Sequence, residues 1–175
     1  FDKAGTLTEG KLVVQRMLLH SGIDEAQAVA VAQALEQQSE HPIACAILNL
    51  PVSEGVNIRS EQRINRVGHG VSARLSVGGQ ESVWAIGRPE FVAEIAGELP
   101  AVWQQAVHEG SVIALGNQQG FAALFVLQDQ VKEGVADMLA KLRQAGLRLH
   151  LLSGDRQSAV SALAESLGLD AVRAE

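Results

Sequence analysis

Leu147-Arg148-Leu149-His150-Leu151-Leu152-Ser153-Gly154-Asp155 is nearly unbroken in its apolar run and then stops on a hydroxyl, a glycine and a carboxylate. A run of that length and apolarity predicts a parallel strand buried on both faces. Upstream, Val131, Val135, Met138, Leu139 and Leu142 recur at helical spacing and predict a long amphipathic helix stopped by Gly146. Downstream, Val160, Leu163, Ala164 and Leu167 predict a second helix, ended by Gly168. Helix, strand, loop, helix is the order of a doubly wound α/β sheet, whose ligands bind at the carboxyl ends of its strands. Ser153 and Asp155 therefore stand where a ligand is expected, although such a triplet taken alone is usually an ordinary turn.

The residues before this segment have a different texture. Asp24, with Gln27 three residues later, is an N-cap signal, and Ala28, Val31, Ala32 and Leu35 follow on one helical face. Pro42 suits the first turn of a short helix carrying Ile43, Ile47 and Leu48. Cys45 lies among these apolar residues and is expected in the core. From Val56 to about Gly87, alternating Val71, Ala73, Leu75 and Val77 are bracketed by Gly68, Gly70, Gly78 and Gly79, which predicts antiparallel sheet. Helices are expected near Pro89–Ala96 and Ala101–Glu109. A hairpin is expected from Ser111–Leu115 and Phe121–Leu127, turning over Gly116–Gly120. The chain reads as an α/β layer interrupted by a sheet-rich insert.

Composition narrows the class. The 175 residues are 47% hydrophobic, enough for one ordinary domain or two small ones. With four Phe, two Trp and no Tyr, core volume must come mainly from Ala, Val, Leu and Ile. A net charge of −6, with Lys and Arg scattered singly, leaves no basic stripe and excludes a general nucleic-acid surface. Any anionic ligand must be held at one local site. The single Cys45 rules out an internal disulfide and fits a reducing compartment. The longest apolar run, Phe121–Leu127, is far short of the roughly 20 residues that cross a bilayer. No leader pattern precedes the charged Asp2-Lys3 pair, so a soluble piece on the cytoplasmic side is expected. His20, His69, His108 and His150 have no metal-ligand spacing with one another or with Cys45 and read as structural or exposed.

The opening, Phe1-Asp2-Lys3-Ala4-Gly5-Thr6-Leu7-Thr8-Glu9-Gly10, carries the most chemistry. A carboxylate in an anion-cradling turn after a strand can attack phosphorus and form an aspartyl phosphate. Nucleophile and phosphate are both negative, so the site needs a divalent cation and a nearby positive charge, for which Lys3 is the local candidate. Gly5 lets backbone N–H groups approach phosphate oxygens, and Thr6 offers a hydroxyl. The plain alternative is a polar surface turn with a helix cap.

This segment resembles the phosphorylation motif of P-type ATPases, DKTGTLT, with Ala4 in place of its first Thr. Soluble phosphatases of the same haloacid-dehalogenase-like superfamily carry a second Asp two residues after the nucleophile, a general acid–base that helps water hydrolyse the intermediate. Ala4 can do neither, so an aspartyl phosphate on Asp2 would be long-lived. The resemblance implies Mg²⁺ held by the Asp2 carboxylate and the Ala4 carbonyl. It also implies that a hydroxyl contacting the transferred phosphoryl group is missing. Ser153-Gly154-Asp155 is similar to the family's TGD element, Ser holding a phosphate oxygen as Thr does. Asp129 matches by position a family Asp near the nucleotide and hinge, and serves equally well as a cap for the following helix.

Ser39-Glu40-His41-Pro42 is similar to the SEHP signature of the heavy-metal (type IB) branch, whose histidine packs beside adenine. Pro42 biases His41 to extended backbone. Glu36 matches the family's acidic residue on the adenine edge, where a carboxylate accepts from the exocyclic amine while a ring covers the base. Gly68-His69-Gly70 resembles the family's GxG element, which lets backbone approach the nucleotide; a β-bulge is the plain reading. Arg88, in Ile86-Gly87-Arg88-Pro89, stands where the family usually has Asn and would meet phosphate.

The resemblance implies an α/β chain in which an incomplete, doubly wound haloacid-dehalogenase-like phosphorylation domain, residues 1–9 and 127–175, is interrupted by an α+β antiparallel-sheet nucleotide-binding insert, residues 10–126. It implies ATP and Mg²⁺, and a heavy-metal ion exported by a multi-pass membrane parent, copper(I) first, zinc or cadmium next. It also implies contacts with the membrane and actuator domains of that parent. A GDGxND element with its metal-binding Asp, and a phosphate-binding Lys, would follow Glu175. Two rivals stand beside it: a soluble phosphatase with a large cap, and a catalytically silent nucleotide-binding module.

Overall fold

The structure, a computed structural model, describes residues 7–20, 22–52, 55–66, 69–153, 160, 163–165, 167–168 and 170–173. Six strands form one antiparallel sheet: β1 (Thr8–Leu19), β2 (Ile58–Arg66), β3 (Gly70–Val77), β4 (Gln80–Gly87), β5 (Ser111–Asn117) and β6 (Gly120–Val131). Their spatial order is β1-β6-β5-β4-β3-β2. Helices cover both faces. On one lie α1 (Glu25–Glu36) and α2 (Pro42–Leu48), whose Val31, Leu35, Ala46 and Ile47 meet Leu75, Ile86, Leu115 and Phe125. On the other lie α3 (Pro89–Ala96), a 3-10 turn at Ala101–Trp103 and α4 (Gln104–Glu109), whose Phe91, Val92 and Trp103 meet Ala85, Ala114 and Leu124. Trp103 stands edge-on to Phe121, ring centroids 6.2 Å apart at 84°.

Burial on both faces explains why β6 reads as a continuous apolar run: all of Phe121–Leu127 are buried. The pairing passes from Leu115↔Ala123 to Gly116↔Phe121, so Ala122 is an extra residue in β6. This bulge is why Ala122 and Ala123 both join the core under α1. The observed hairpin is tighter than expected. Asn117 pairs with Gly120, so the turn is two residues long and the Asn117 carboxamide accepts from the Gln119 N–H at 2.8 Å.

Local signals place the helices on the first face. The Gln27 N–H donates to the Asp24 carboxylate at 2.7 Å, as the capping pattern requires. The seven residues of α2 are too few for a stable free helix, so tertiary packing holds it, chiefly the buried Ala46 and Ile47. A fully buried Ile such as Ile47 stabilises by about 1.5–3 kcal/mol. Cys45 corrects the sequence expectation: it is exposed, because the inward face of so short a helix is filled by Ala44, Ala46 and Ile47.

A second core joins Leu7, Val135, Leu139, Leu149, Leu151, Val160, Leu163 and Ala164, with Val131 packed against it. It contains α5 (Val135–Gln144) and β7 (His150–Ser153), which pairs in parallel with β8 (Asp170–Arg173). Residues 160, 163–165 and 167 are helical, and the Arg143 guanidinium donates to the carbonyls of Leu167 and Gly168 at the end of that segment. A cation there also suits the negative end of the helix dipole. The parallel strand is shorter than its apolar run: Leu147 is 55% exposed and precedes β7. Val131 belongs to β6, and α5 begins only at Val135 behind Gly134.

The strand β1 has no counterpart in the sequence reading. It pairs along its length with β6, with register shifts between Thr8 and Leu12 and between Val14 and Arg16. Beyond its first residue the Leu7 carbonyl accepts from the Lys132 N–H at 2.8 Å. The β1–β6 ribbon thus runs from the core of the large sheet to the core around β7.

Candidate functional site

Strand registers sort the sheet into two ends. Leu19↔Ala123, Asn117↔Gly120, Val77↔Gln80 and Ile58↔Val77 mark one end. Thr8↔Val131, Gly87↔Ala114, Gly70↔Gly87 and Arg66↔Gly70 mark the other. Ile23 and Gln27, at the start of α1, line a cleft with Val77, Gln80 and Asn117 at the first end. Helix α1 packs over β2, β3 and β4, and its 12 residues extend about 18 Å. Gly70, Gly87 and the start of β1 therefore share one end of the sheet.

Glu36 closes α1 and is only 7% exposed, the one buried charged side chain among the described residues. Its carbonyl accepts from the Ser39 N–H at 3.0 Å, which turns the chain directly after the helix. His41 is exposed and is the N-cap of α2, in the extended conformation that Pro42 favours (φ −63°, ψ 142°). Its Nδ1 accepts from the Ile43 N–H at 3.2 Å. Its own N–H donates to the Ser39 hydroxyl at 3.3 Å. Because Nδ1 is an acceptor, the neutral ring carries its proton on Nε2, which takes no part in the cap.

Gly70 and Gly87 both stand where a side chain does not fit. They are direct partners in β3 and β4, both with positive φ (158° and 155°). A Cβ on Gly70 would overlap the Ile86 carbonyl oxygen and the Phe91 ring; one on Gly87 would overlap the His69 carbonyl oxygen. The need for glycine at Gly70 is thus met by backbone approaching backbone. It is no bulge: pairing from Arg66↔Gly70 to Ile64↔Ser72 is regular, and the shift in β2 falls between Ser60 and Arg63. Arg88, next to Gly87, is the exposed N-cap residue of α3, and its N–H donates to the His69 carbonyl at 3.0 Å. The sequence reading missed Gly87 as Gly70's partner, although the Gly-Arg-Pro run marks a strand end.

Asp2, Lys3, Ala4, Thr6, Gly68 and Asp155 lie outside the described residues. Ser153 ends β7, at the carboxyl end of a parallel strand as expected. Asp129 is no helix cap. It is the Leu12 partner within β6, and Gly134 takes the cap position of α5. The cleft at the opposite end of the sheet, about 400 Å³, has Trp84 and Phe121 in its walls with Gln80, Ser82 and Gln119. Among the described residues no Lys or Arg lines it to meet a triphosphate.

The sequence profile of the haloacid dehalogenase-like hydrolases matches residues 1–174, and the chain belongs to that family. It is 28% identical over 179 residues to the zinc-transporting ATPase of Bacillus subtilis (strain 168), covering 100% of this chain and 28% of that protein. It is 33% identical over 171 residues to a copper-transporting ATPase of Helicobacter pylori, covering 97% of this chain and 23% of the relative. The chain therefore spans about a quarter of the length of these curated relatives. Among solved structures it is similar to a zinc-transporting PIB-type ATPase, with TM-score 0.77 and 28% identity over 99% of this chain and 28% of the other. The N-domain of HMA6, a copper-transporting P-type ATPase, shares the fold of 67% of this chain (98% of that one) at TM-score 0.56 and 21% identity.

Proposed function

We propose that this chain is the nucleotide-binding and aspartyl-phosphorylation region of a heavy-metal-transporting P-type ATPase of the membrane, acting on its cytoplasmic side. Copper(I) is the first candidate cargo, zinc or cadmium the next. The observation that carries the reading is the buried Glu36 carboxylate, the one buried charged side chain among the described residues. An ionised carboxylate has two oxygens and about four acceptor sites, and an adenine amine is a donor of the right chemistry to take one of them. Adenine is proposed to sit with its amine edge on Glu36 and a face on the His41 ring. The backbone at Gly68–Gly70 borders it, and Arg88 reaches the phosphates.

The two cores support a division into a nucleotide-binding insert, residues 10–126, and a phosphorylation domain from residues 1–9 and 127–175. In the proposed reaction an Asp2 carboxylate oxygen forms a bond to the γ-phosphorus of ATP as the bond to the β–γ bridging oxygen breaks, and ADP leaves. Lys3, Thr6 and Ser153 would hold the phosphoryl oxygens, with Asp155 beside them. Among the described residues no three His, Cys, Asp or Glu side chains could hold a metal. The Asp2 carboxylate and Ala4 carbonyl are hard oxygen donors that fit Mg²⁺, which would supply neutralising charge at the phosphates. The test is ³²P transfer from labelled ATP in the intact parent protein. Acid-stable, hydroxylamine-sensitive label that disappears in Asp2→Asn is expected; label that persists refutes the assignment.

A further inference from the structure

Gln33 ties α1 to the end of α2. Its Nε2 donates to the Leu50 carbonyl at 2.9 Å and to the Ile47 carbonyl at 3.3 Å. Both partners are acceptors, which fixes the side of the carboxamide that faces them. These carbonyls lie where α2 ends, among the groups a helix leaves without partners of its own. The Leu50 N–H also donates to the Ile47 carbonyl at 3.2 Å, so amide and backbone close one small ring of contacts around that end. Gln33 is half-buried, and Leu50 packs partly buried against the main core.

Geometry gives this tie a consequence. Gln33 and Glu36 are three residues apart on α1 and share a face of the helix. His41 caps the opposite end of α2, only seven residues long. A helix of two turns moves nearly as a rigid rod, so whatever fixes one end relative to α1 also aims the other. The apolar contacts of Ala46 and Ile47 carry no hydrogen-bond direction of their own. The amide supplies direction.

We propose that Gln33 is a positioning residue that sets the His41 ring against the Glu36 carboxylate and thereby the nucleobase preference of the site. The proposal rests on the adenine reading above, and the test separates the two. Gln33→Met keeps the length of the side chain and removes both donors; Gln33→Asn keeps the amide on a shorter stem. ATP and GTP affinities of the 175-residue chain are measured by calorimetry, and the His41 Cε1–H resonance is followed by NMR without nucleotide. Melting by circular dichroism fixes a temperature at which every variant is folded. In Gln33→Met the His41 resonance should move, ATP affinity should fall about tenfold, and the ATP:GTP affinity ratio should drop, with Gln33→Asn intermediate. Mere loss of stability would lower both affinities together and leave their ratio alone. If wild type binds ATP with shifts at Glu36 and His41 and Gln33→Met keeps the ratio, Gln33 has no positioning role and the adenine reading survives. If wild type shows no shift at those residues, the adenine reading fails, and the role of Gln33 with it.

Discussion

Gly70 and Gly87 face each other across β3 and β4, and a Cβ on Gly87 would come within 2.6 Å of the Gly70 Cα. Gly70 occupies space that a side chain on Gly87 would need, and the Ile86 carbonyl and the Phe91 ring occupy the space that one on Gly70 would need. Gly70→Ala must also displace the Phe91 ring, which seats α3 on the sheet. With backbone strain at positive φ added, Gly70→Ala and Gly87→Ala should each lose about 2–3 kcal/mol or more. Urea midpoints measure this. A loss below about 0.5 kcal/mol, the range of ordinary surface changes, would show that the strands do not meet this way.

His41 has two separable duties. His41→Ala removes a helix cap and should cost about 0.5–2 kcal/mol of stability. His41→Asn restores a capping acceptor without a ring, so it should recover most of that stability. Both variants should bind ATP about tenfold or more weakly, since losing one base–aromatic stack costs on the order of 1–3 kcal/mol. Full ATP affinity in His41→Asn would confine this residue to capping.

Glu36 should make the site prefer ATP over GTP, because guanine presents a carbonyl where adenine has its amine. Two buried acceptors face to face cost about 1–3 kcal/mol. Glu36→Gln offers a donor as well as an acceptor, so the ATP:GTP ratio should shrink toward one. Calorimetry with both nucleotides decides; equal wild-type affinities would remove Glu36 from this role.

Position 4 should act on chemistry and leave binding alone. Ala4→Thr restores a hydroxyl that can donate to an oxygen gaining charge in the transition state, and one such donor is commonly worth roughly 3 kcal/mol. A smaller gain, about tenfold in phosphorylation rate, is expected because Lys3 and Ser153 would already share that charge. Quench-flow labelling with ³²P-ATP reads the rate. A change in ATP affinity with no change in rate would place position 4 away from the reacting phosphate.

The sequence showed elements whose signals are local and hid those that depend on distant partners. The Asp24–Gln27 cap, Pro42 at the start of α2 and the alternation in β3 are written within a few residues, and the structure has each. The strand β1 was hidden because its partners are far along the chain, as in Leu12↔Asp129, and because two register shifts spoil its alternation. The spacing of Val131, Val135 and Leu139 imitates a helix across a boundary that only the pairing of Val131 with Thr8 reveals. For the candidate site, motif order pointed to Glu36, His41, Gly70 and Arg88. What it could not supply was the burial of Glu36 or the contact that makes Gly70 a glycine.

The pairing of Thr8 with Val131 has a consequence for how such a molecule is assembled from genetic parts. The six-stranded sheet and its four helices leave and re-enter the rest of the chain at one doorway, where two residues stand side by side as strand partners. Partners in an antiparallel pair lie about 5 Å apart at Cα, a gap that a tight turn can close. On the proposed division, everything between them is a cassette. A gene could gain, lose or exchange it through a single splice, and the fold left behind would need only a short hairpin to heal.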